Sequence, residues 1–189
     1  MCVIQAAEKK EGIVSKFRNG DVVFIQGRTW RSFFVMLTDG GRTSAAADES
    51  FSHVGVVRFI SDIPHVVHAT PDNLFVLAEP ADAFISSDNA ECSAIYRLTD
   101  EGAQTAVSEA ASLAALEYYT LSVPFDHQFD VCDATSLYCT ELVLRAYEKA
   151  GVDLSEGRAD FLCKVPLYGE VLLPDSLRRS GMLTRVETN

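Results

Sequence analysis

No stretch of this chain approaches the roughly 18 to 20 consecutive apolar residues that a membrane-spanning helix needs. No basic run exceeds two residues, and 16 basic side chains face 27 acidic ones, a net charge of −11. Such a surface is repelled by phosphate backbones and by anionic lipid headgroups, so no nucleic acid is expected as a partner. No two cysteines have the CxxC spacing of a zinc or redox pair. The five cysteines, Cys2, Cys92, Cys132, Cys139 and Cys163, are odd in number and irregular in spacing. A disulfide framework is thereby excluded, and at least one thiol is left free. The opening MCVIQAAEKK lacks the basic start and apolar centre of a signal peptide. Cys2 reads either as an ordinary second residue or as a lipidation cysteine. Localisation stays open, with periplasmic, lipoprotein-anchored and secreted placements all compatible. No internal repeat or low-complexity linker divides the chain. Its 189 residues read as one domain with a sizeable core, spanning about 19–178.

What is present is an ordinary globular composition, 48% hydrophobic and 23% charged. NGDVVFIQG (19–27) reads as a turn leading into a strand. RSFFVMLTDGG (31–41) reads as a short helix, and RTSAAADES (42–50) as a loop. FSHVGVVRFI (51–60) and HVVHAT (65–70), joined by SDIP, form a hairpin with proline in its turn. NLFVLAEP (73–80) and CSAIYRL (92–98) continue as strands. The run 99–119 is helical, with Thr99 as N-cap, and 122–135 is a loop. SLYCTELVLRAYEKAG (136–151) is an amphipathic helix ended by Gly151, and 165–181 holds a short strand, a proline stop and a helical turn. The predicted class is α+β: a mainly antiparallel sheet flanked by helices.

The helix ending at Gly151 carries the chemistry. From Cys139 the positions Leu142, Val143, Ala146, Tyr147 and Ala150 make a continuous apolar stripe. Glu141 and Arg145 form an i,i+4 pair on the other face. Cys139 heads the stripe in the first turn. It is either a small packed hydrophobe or a nucleophile whose thiolate the helix N-terminus and a charged partner would stabilise. The same backbone amides can receive an oxyanion.

A thiol nucleophile needs a base, and four histidines are available. In the hairpin 51–70, any register whose partner numbers add to an odd total puts His53 and His68 on one face of the sheet. Two histidines on one face fit a base and its orienting partner, or two half-buried strand residues. Gly55 beside His53 marks a bulge or a close approach. His65, next to Pro64, reads as exposed, and His127 as a loop residue and weaker alternative base. Cys132, Cys139, His53 and His68 would also supply zinc ligands, although six residues between the two cysteines is not a knuckle spacing. A Cys132–Cys139 disulfide is a further alternative.

GDVVF, SHVGVV, VVHAT, PFDHQF, YCTELV and PDSL, in that order, resemble the circularly permuted papain-like amidases. These are the YaeF/YiiX branch of the NlpC-type cell-wall peptidase superfamily, related to the lecithin:retinol acyltransferases. The histidine hairpin precedes the cysteine helix here, whereas in unpermuted members it follows. The resemblance implies a papain-like α+β fold, a small antiparallel barrel-like sheet with the cysteine helix packed against it. It puts Cys139 at the nucleophile, His53 at the general base and His68 at the orienting third position. That third position is often glutamate in the permuted branch and histidine in the unpermuted superfamily. Tyr138 either lines the pocket or packs at the helix start, and Asp126 shapes the site loop.

The implied activity is that of a cysteine amidase or peptidase working through a thioester, on cell-wall peptides or related amides. It calls for no cofactor and no metal. Its partner is a peptide, amide or acyl substrate. Two other readings share the fold: a lipid-directed acyl hydrolase or acyltransferase, and a catalytically inactive binding domain.

Overall fold

The turn at Asn19–Gly20 is where the described chain commits to a sheet. Gly20 has φ +82°, and a Cβ there would lie 2.4 Å from the Ser108 carbonyl oxygen. Only glycine lets the turn and the helix carrying Ser108 meet this closely. In this computed structural model the described residues are 16–28, 51–99, 104–133, 135–158, 161–165 and 169–186. The segments read as a helix at 31–41 and a loop at 42–50 lie outside them.

Eight strands are described: β1 Val22–Gly27, β2 His53–Ile60, β3 Ile63–His68, β4 Leu77–Pro80, β5 Ala90–Leu98, β6 Cys163–Val165, β7 Gly169–Val171 and β8 Leu183–Arg185. Six form one sheet in the order β4-β3-β2-β1-β5-β8, antiparallel throughout. Strands β6 and β7 pair separately. The helices are α1 Ala81–Phe84, α2 Gln104–Thr120, α3 Cys139–Lys149 and α4 Pro174–Arg178. The α+β class expected from the sequence is the class observed. α1, β6 and β8 are too short to stand out as periodic runs.

Apolar alternation on the strands builds two cores. One face presents Val22, Phe24, Val54, Val56, Val67 and Tyr96 to α2 and α3. The other presents Val23, Ile25, Val57, Val66 and Ile95 to Phe84 of α1. Each fully buried side chain of this size contributes roughly 1.5–3 kcal/mol. The buried Asp21 beneath this layer receives both Nε and Nη2 of Arg97, at 2.7 and 2.8 Å. That fork is the pairing a buried carboxylate requires.

The hairpin differs in its turn. Ile60 pairs with Ile63, so the turn is Ser61–Asp62, with φ +51° and +64°. Two positive φ values match the right-handed twist of the strands. Pro64 therefore lies within β3, opposite Phe59. The Phe59 amide is turned away to Asn19 Oδ1, at 2.7 Å, so the proline removes no bond between these strands. The Thr99 hydroxyl lies 3.0 Å from Thr184 Oγ1. The helix start that Thr99 is expected to cap falls on residues 100–103, outside the described residues, and α2 is described from Gln104.

α3 is the central helix. Its C-terminus is closed by Gly151 at φ +85°, with Gly151 N bonded to Glu148 O and Val152 N to Tyr147 O. These two bonds satisfy carbonyls that the helix leaves open. Its N-terminus is clamped to Leu172. Tyr138 Oη accepts from Leu172 N at 2.9 Å, and Thr140 Oγ1 donates to Leu172 O at 2.6 Å. Between the ends, Tyr147 Oη donates to Gly20 O at 2.5 Å. Tyr138→Phe keeps the ring but leaves the buried Leu172 amide without its acceptor. The expected loss in a urea melt is about 1–3 kcal/mol. An unchanged midpoint would mean that the amide finds another acceptor.

Candidate active site

Cys139 is the first residue of α3, and Tyr138 takes the N-cap with extended φ/ψ. The Cys139 sulfur is thereby placed among backbone amides. Those of Thr140, Val54 and Cys139 itself all act to lower its pKa. The Val54 amide is available for a physical reason. The β2–β3 pairing runs only from Ile60↔Ile63 to Val56↔Val67, so Val54 lies beyond the last pair. Its neighbour in the chain is His53.

Three of the sequence-predicted residues, Cys139, His53 and His68, are thus drawn to one end of the hairpin. His53 Nε2 lies 2.7 Å from His68 Nδ1, with the rings nearly perpendicular at 75°. The odd register put them on one face, and Gly55 lets them meet. A Cβ on Gly55 would lie 2.5 Å from Val66 Cγ1, 2.8 Å from Val67 O and 3.0 Å from His68 Cβ. Of the bulge and the close approach foreseen there, the close approach is what the structure holds. Phe84 packs against both imidazoles, at 5.6 and 5.0 Å between ring centroids.

One residue at this site was missed in the sequence. Glu79 Oε1 stands 2.9 Å from His68 Nε2. Glu79 pairs with Val66, two residues from His68, which puts both side chains on one face. Only the β3–β4 register reveals this, since nothing in NLFVLAEP distinguishes Glu79 from any exposed strand acid.

Burial sets the resting charge. Cys139 is 4% exposed, and desolvation pushes its thiol up to about 12 against the pull of the three amides. His53 is held well below the ordinary histidine range, first by burial and then by the charge of His68. Burial thus favours the neutral form of both groups. Desolvation, which a reading of the helix alone does not weigh, opposes the stabilisation of the thiolate by the first-turn amides.

Tyr138 and Asp126 adjoin the site. The Tyr138 hydroxyl accepts from Leu172 N, and the ring packs edge-on to Phe129 at 5.2 Å. Asp126 accepts from Gln128 N and Asp130 N, at 2.7 Å each, and so folds the loop before α3. Its own amide donates to Leu137 O. His127 stacks edge-on with Phe125 and lines a cavity of about 660 Å3 together with Asp130, Cys132 and Glu170. Cys139, His53 and His68 are not among the walls of that cavity. His65 is half-buried, with Nδ1 2.9 Å from Ile63 O. Cys132 and Cys139 are both free thiols, which removes the disulfide alternative.

Glu141 corrects the helix reading. The sequence puts it on the face opposite the core stripe, yet its side chain is fully buried. The 126–131 loop covers it, tied down through Arg145 Nη2 to Val131 O. Arg145 also serves Glu148, and its Nε stays 3.4 Å from Glu141 Oε1. Glu141 Oε2 has no hydrogen-bond partner among the described residues. Desolvation raises this carboxyl to about 8. The folded chain keeps the proton to higher pH than the unfolded chain. This contribution to stability is complete below about 4.5 and lost as pH rises through about 8.

Two measurements test these assignments. Urea melts of the parent chain should show stability falling between pH 5 and pH 8, and Glu141→Gln should flatten that slope; an equal slope in the variant would place the titration elsewhere. In peptide-mapped iodoacetamide labelling at pH 6, exposed Cys132 should react well ahead of Cys139. The reverse order would reveal a resting thiolate.

Comparison with known proteins identifies the arrangement. Residues 16–187 match the family described as "Permuted papain-like amidase enzyme, YaeF/YiiX, C92 family". Among solved structures, that of the metalloprotein YiiX from Escherichia coli O157:H7 superposes with a TM-score of 0.67. The superposition covers 91% of this chain and 97% of that one, at 21% sequence identity. Among curated proteins none matches. Although that neighbour is titled a metalloprotein, no group of three or more His, Cys, Asp or Glu among the described residues of this chain is placed to hold a metal ion. No described helix is long and apolar enough to cross a membrane. With its histidine hairpin ahead of its cysteine helix, and a match that runs from residue 16 to residue 187, the chain belongs to the permuted papain-like amidase family of the YaeF/YiiX type.

Proposed function

We propose that this protein is a cysteine amidase or peptidase that cleaves amides through a thioester on Cys139, with His53 as general base and acid and His68 as its orienting partner. One observation carries the reading. The Cys139 sulfur lies against the Val54 amide, next in the chain to His53, whose Nε2 is 2.7 Å from His68 Nδ1. That contact commits His53 Nε2, so proton exchange with the nucleophile falls to Nδ1.

The resting pair is neutral, so attack and proton transfer proceed together. The thiol proton passes to His53 Nδ1 as sulfur bonds to the carbonyl carbon and the carbonyl oxygen becomes an oxyanion. The amides at the start of α3, that of Cys139 among them, are oriented to receive this charge. Loss of one such donor typically costs about 2.7–4 kcal/mol. Collapse of the tetrahedral adduct expels the amine, which takes the proton from His53. Water, activated by the same imidazole, then releases the acid and restores the thiol.

Peptide amides of the cell wall, or related amides, are the substrate class that fits best. The support for this class is the amidase family to which the chain belongs; the cavity of about 660 Å3 has a mixed polar and apolar lining and does not include Cys139. A lipid-directed acyl hydrolase or acyltransferase has one observation in its favour. Leu74, Phe75 and Leu121 are exposed on or beside two segments joined by the bond from Phe125 N to Leu74 O.

The deciding experiment incubates the protein with purified peptidoglycan and, separately, with acyl-amides and lipid esters, read by mass spectrometry. Cleavage by the parent chain should fall at least about a thousandfold in Cys139→Ala. The loss in His53→Ala should exceed that in His68→Ala. An equally active Cys139→Ala would refute the mechanism, and cleavage of lipid esters alone would turn the assignment to lipid.

A further inference from the structure

The segment that follows β3 returns to the histidine pair twice. Glu79, on β4, brings Oε1 to 2.9 Å from His68 Nε2. Five residues later Phe84, on α1, packs edge-on to His68 and tilted against His53. A carboxylate and an aromatic ring from one short stretch thus pack against the pair. The order of contacts is linear: Glu79 Oε1 to His68 Nε2, then His68 Nδ1 to His53 Nε2. Glu79 is 29% exposed at its side chain, whereas His68 is 6%. The carboxylate therefore sits at the wet end of a row whose other end is dry.

We propose that Glu79 is a positioning residue that sets the tautomers of both histidines. This rests on the cysteine-hydrolase reading above for its catalytic consequence, though not for its structural one. A neutral imidazole carries one ring proton, and a negative oxygen 2.9 Å from Nε2 favours that proton on Nε2. Oε1 is off the line of the ring N–H, so the contact acts chiefly through charge. With Nε2 protonated, His68 Nδ1 offers a lone pair. His53 Nε2–H donates to it across 2.7 Å, which fixes the His53 proton on Nε2 as well. His53 Nδ1 then carries the lone pair that accepts the Cys139 proton. Without Glu79, His68 is free to hold its proton on Nδ1. It would then donate to His53 Nε2, and His53 would present Nδ1–H, which accepts nothing from a thiol. A wrong tautomer with intact geometry is a known way to lose most of the activity of a triad.

The test reads tautomers directly by 15N–1H correlation of the imidazoles in the full chain, which needs no substrate. In the parent protein both His53 and His68 should show Nε2–H. Glu79→Ala should convert His68, and with it His53, to a mixture or to Nδ1–H. Glu79→Gln keeps the shape but removes the charge, and should loosen the tautomers as Glu79→Ala does. In turnover, Glu79→Ala should lower kcat on the order of 10- to 100-fold at unchanged KM, with a similar loss in Glu79→Gln. Parent spectra with the proton on His68 Nδ1 would overturn the proposal without any variant, and so would unaltered tautomers in Glu79→Ala. Should Cys139→Ala prove fully active, the hydrolase reading fails, and the spectra still decide the role of Glu79.

Discussion

At Gly55 the backbone of β2 and that of β3 come so close that one added carbon would lie 2.5 Å from Val66 Cγ1 and 3.0 Å from His68 Cβ. The rest of the site follows from this approach. It lets His68 lie against His53, and the pairing of the two strands ends one residue short of it, at Val56 and Val67. The parting of the strands gives the Val54 amide to the Cys139 sulfur. A larger residue would push β3 away, separating the histidines. Overpacking of this kind costs about 1–3 kcal/mol, and here the strain would fall on the reacting groups.

The second constraint is the anchoring of α3. The helix headed by Cys139 is held at three heights. Leu172 clamps the first turn through Tyr138 and Thr140, the Tyr147 hydroxyl grips Gly20, and Gly151 closes the far end. The consequence is a site buried enough to favour neutral groups. Desolvation outweighs the helix amides at Cys139 and lowers the base at His53. Under the proposed mechanism, attack would then be coupled to proton transfer rather than start from a preformed ion pair, and the tautomer of His53 would matter.

Glu141 shows the same balance from the other side. On a helical wheel it is a solvent-facing acid paired with Arg145. The loop from Asp126 to Val131 lies over it, and Arg145 divides its donors among Glu141, Glu148 and Val131 O. One cation shared three ways does not offset the burial of a carboxylate, so the group keeps its proton. Periodicity counts only the residues of the helix itself, and the loop that inverts its exposure belongs to another part of the chain.

Much of this protein was legible in its sequence. The strands around His53 and His68, the helix headed by Cys139 and its stop at Gly151 follow from local alternation, helical spacing and turn chemistry. The common face of the two histidines follows from parity alone, because an odd register suffices whatever its value. Tertiary structure decided what depends on distance between remote segments. The role of Glu79 rests on the β3–β4 register, the charge of Cys139 on how much protein surrounds it, and the burial of Glu141 on a loop laid across its helix. Sequence patterns record which way a side chain points from its own backbone. Register, desolvation and coverage are set by what other parts of the chain bring against it.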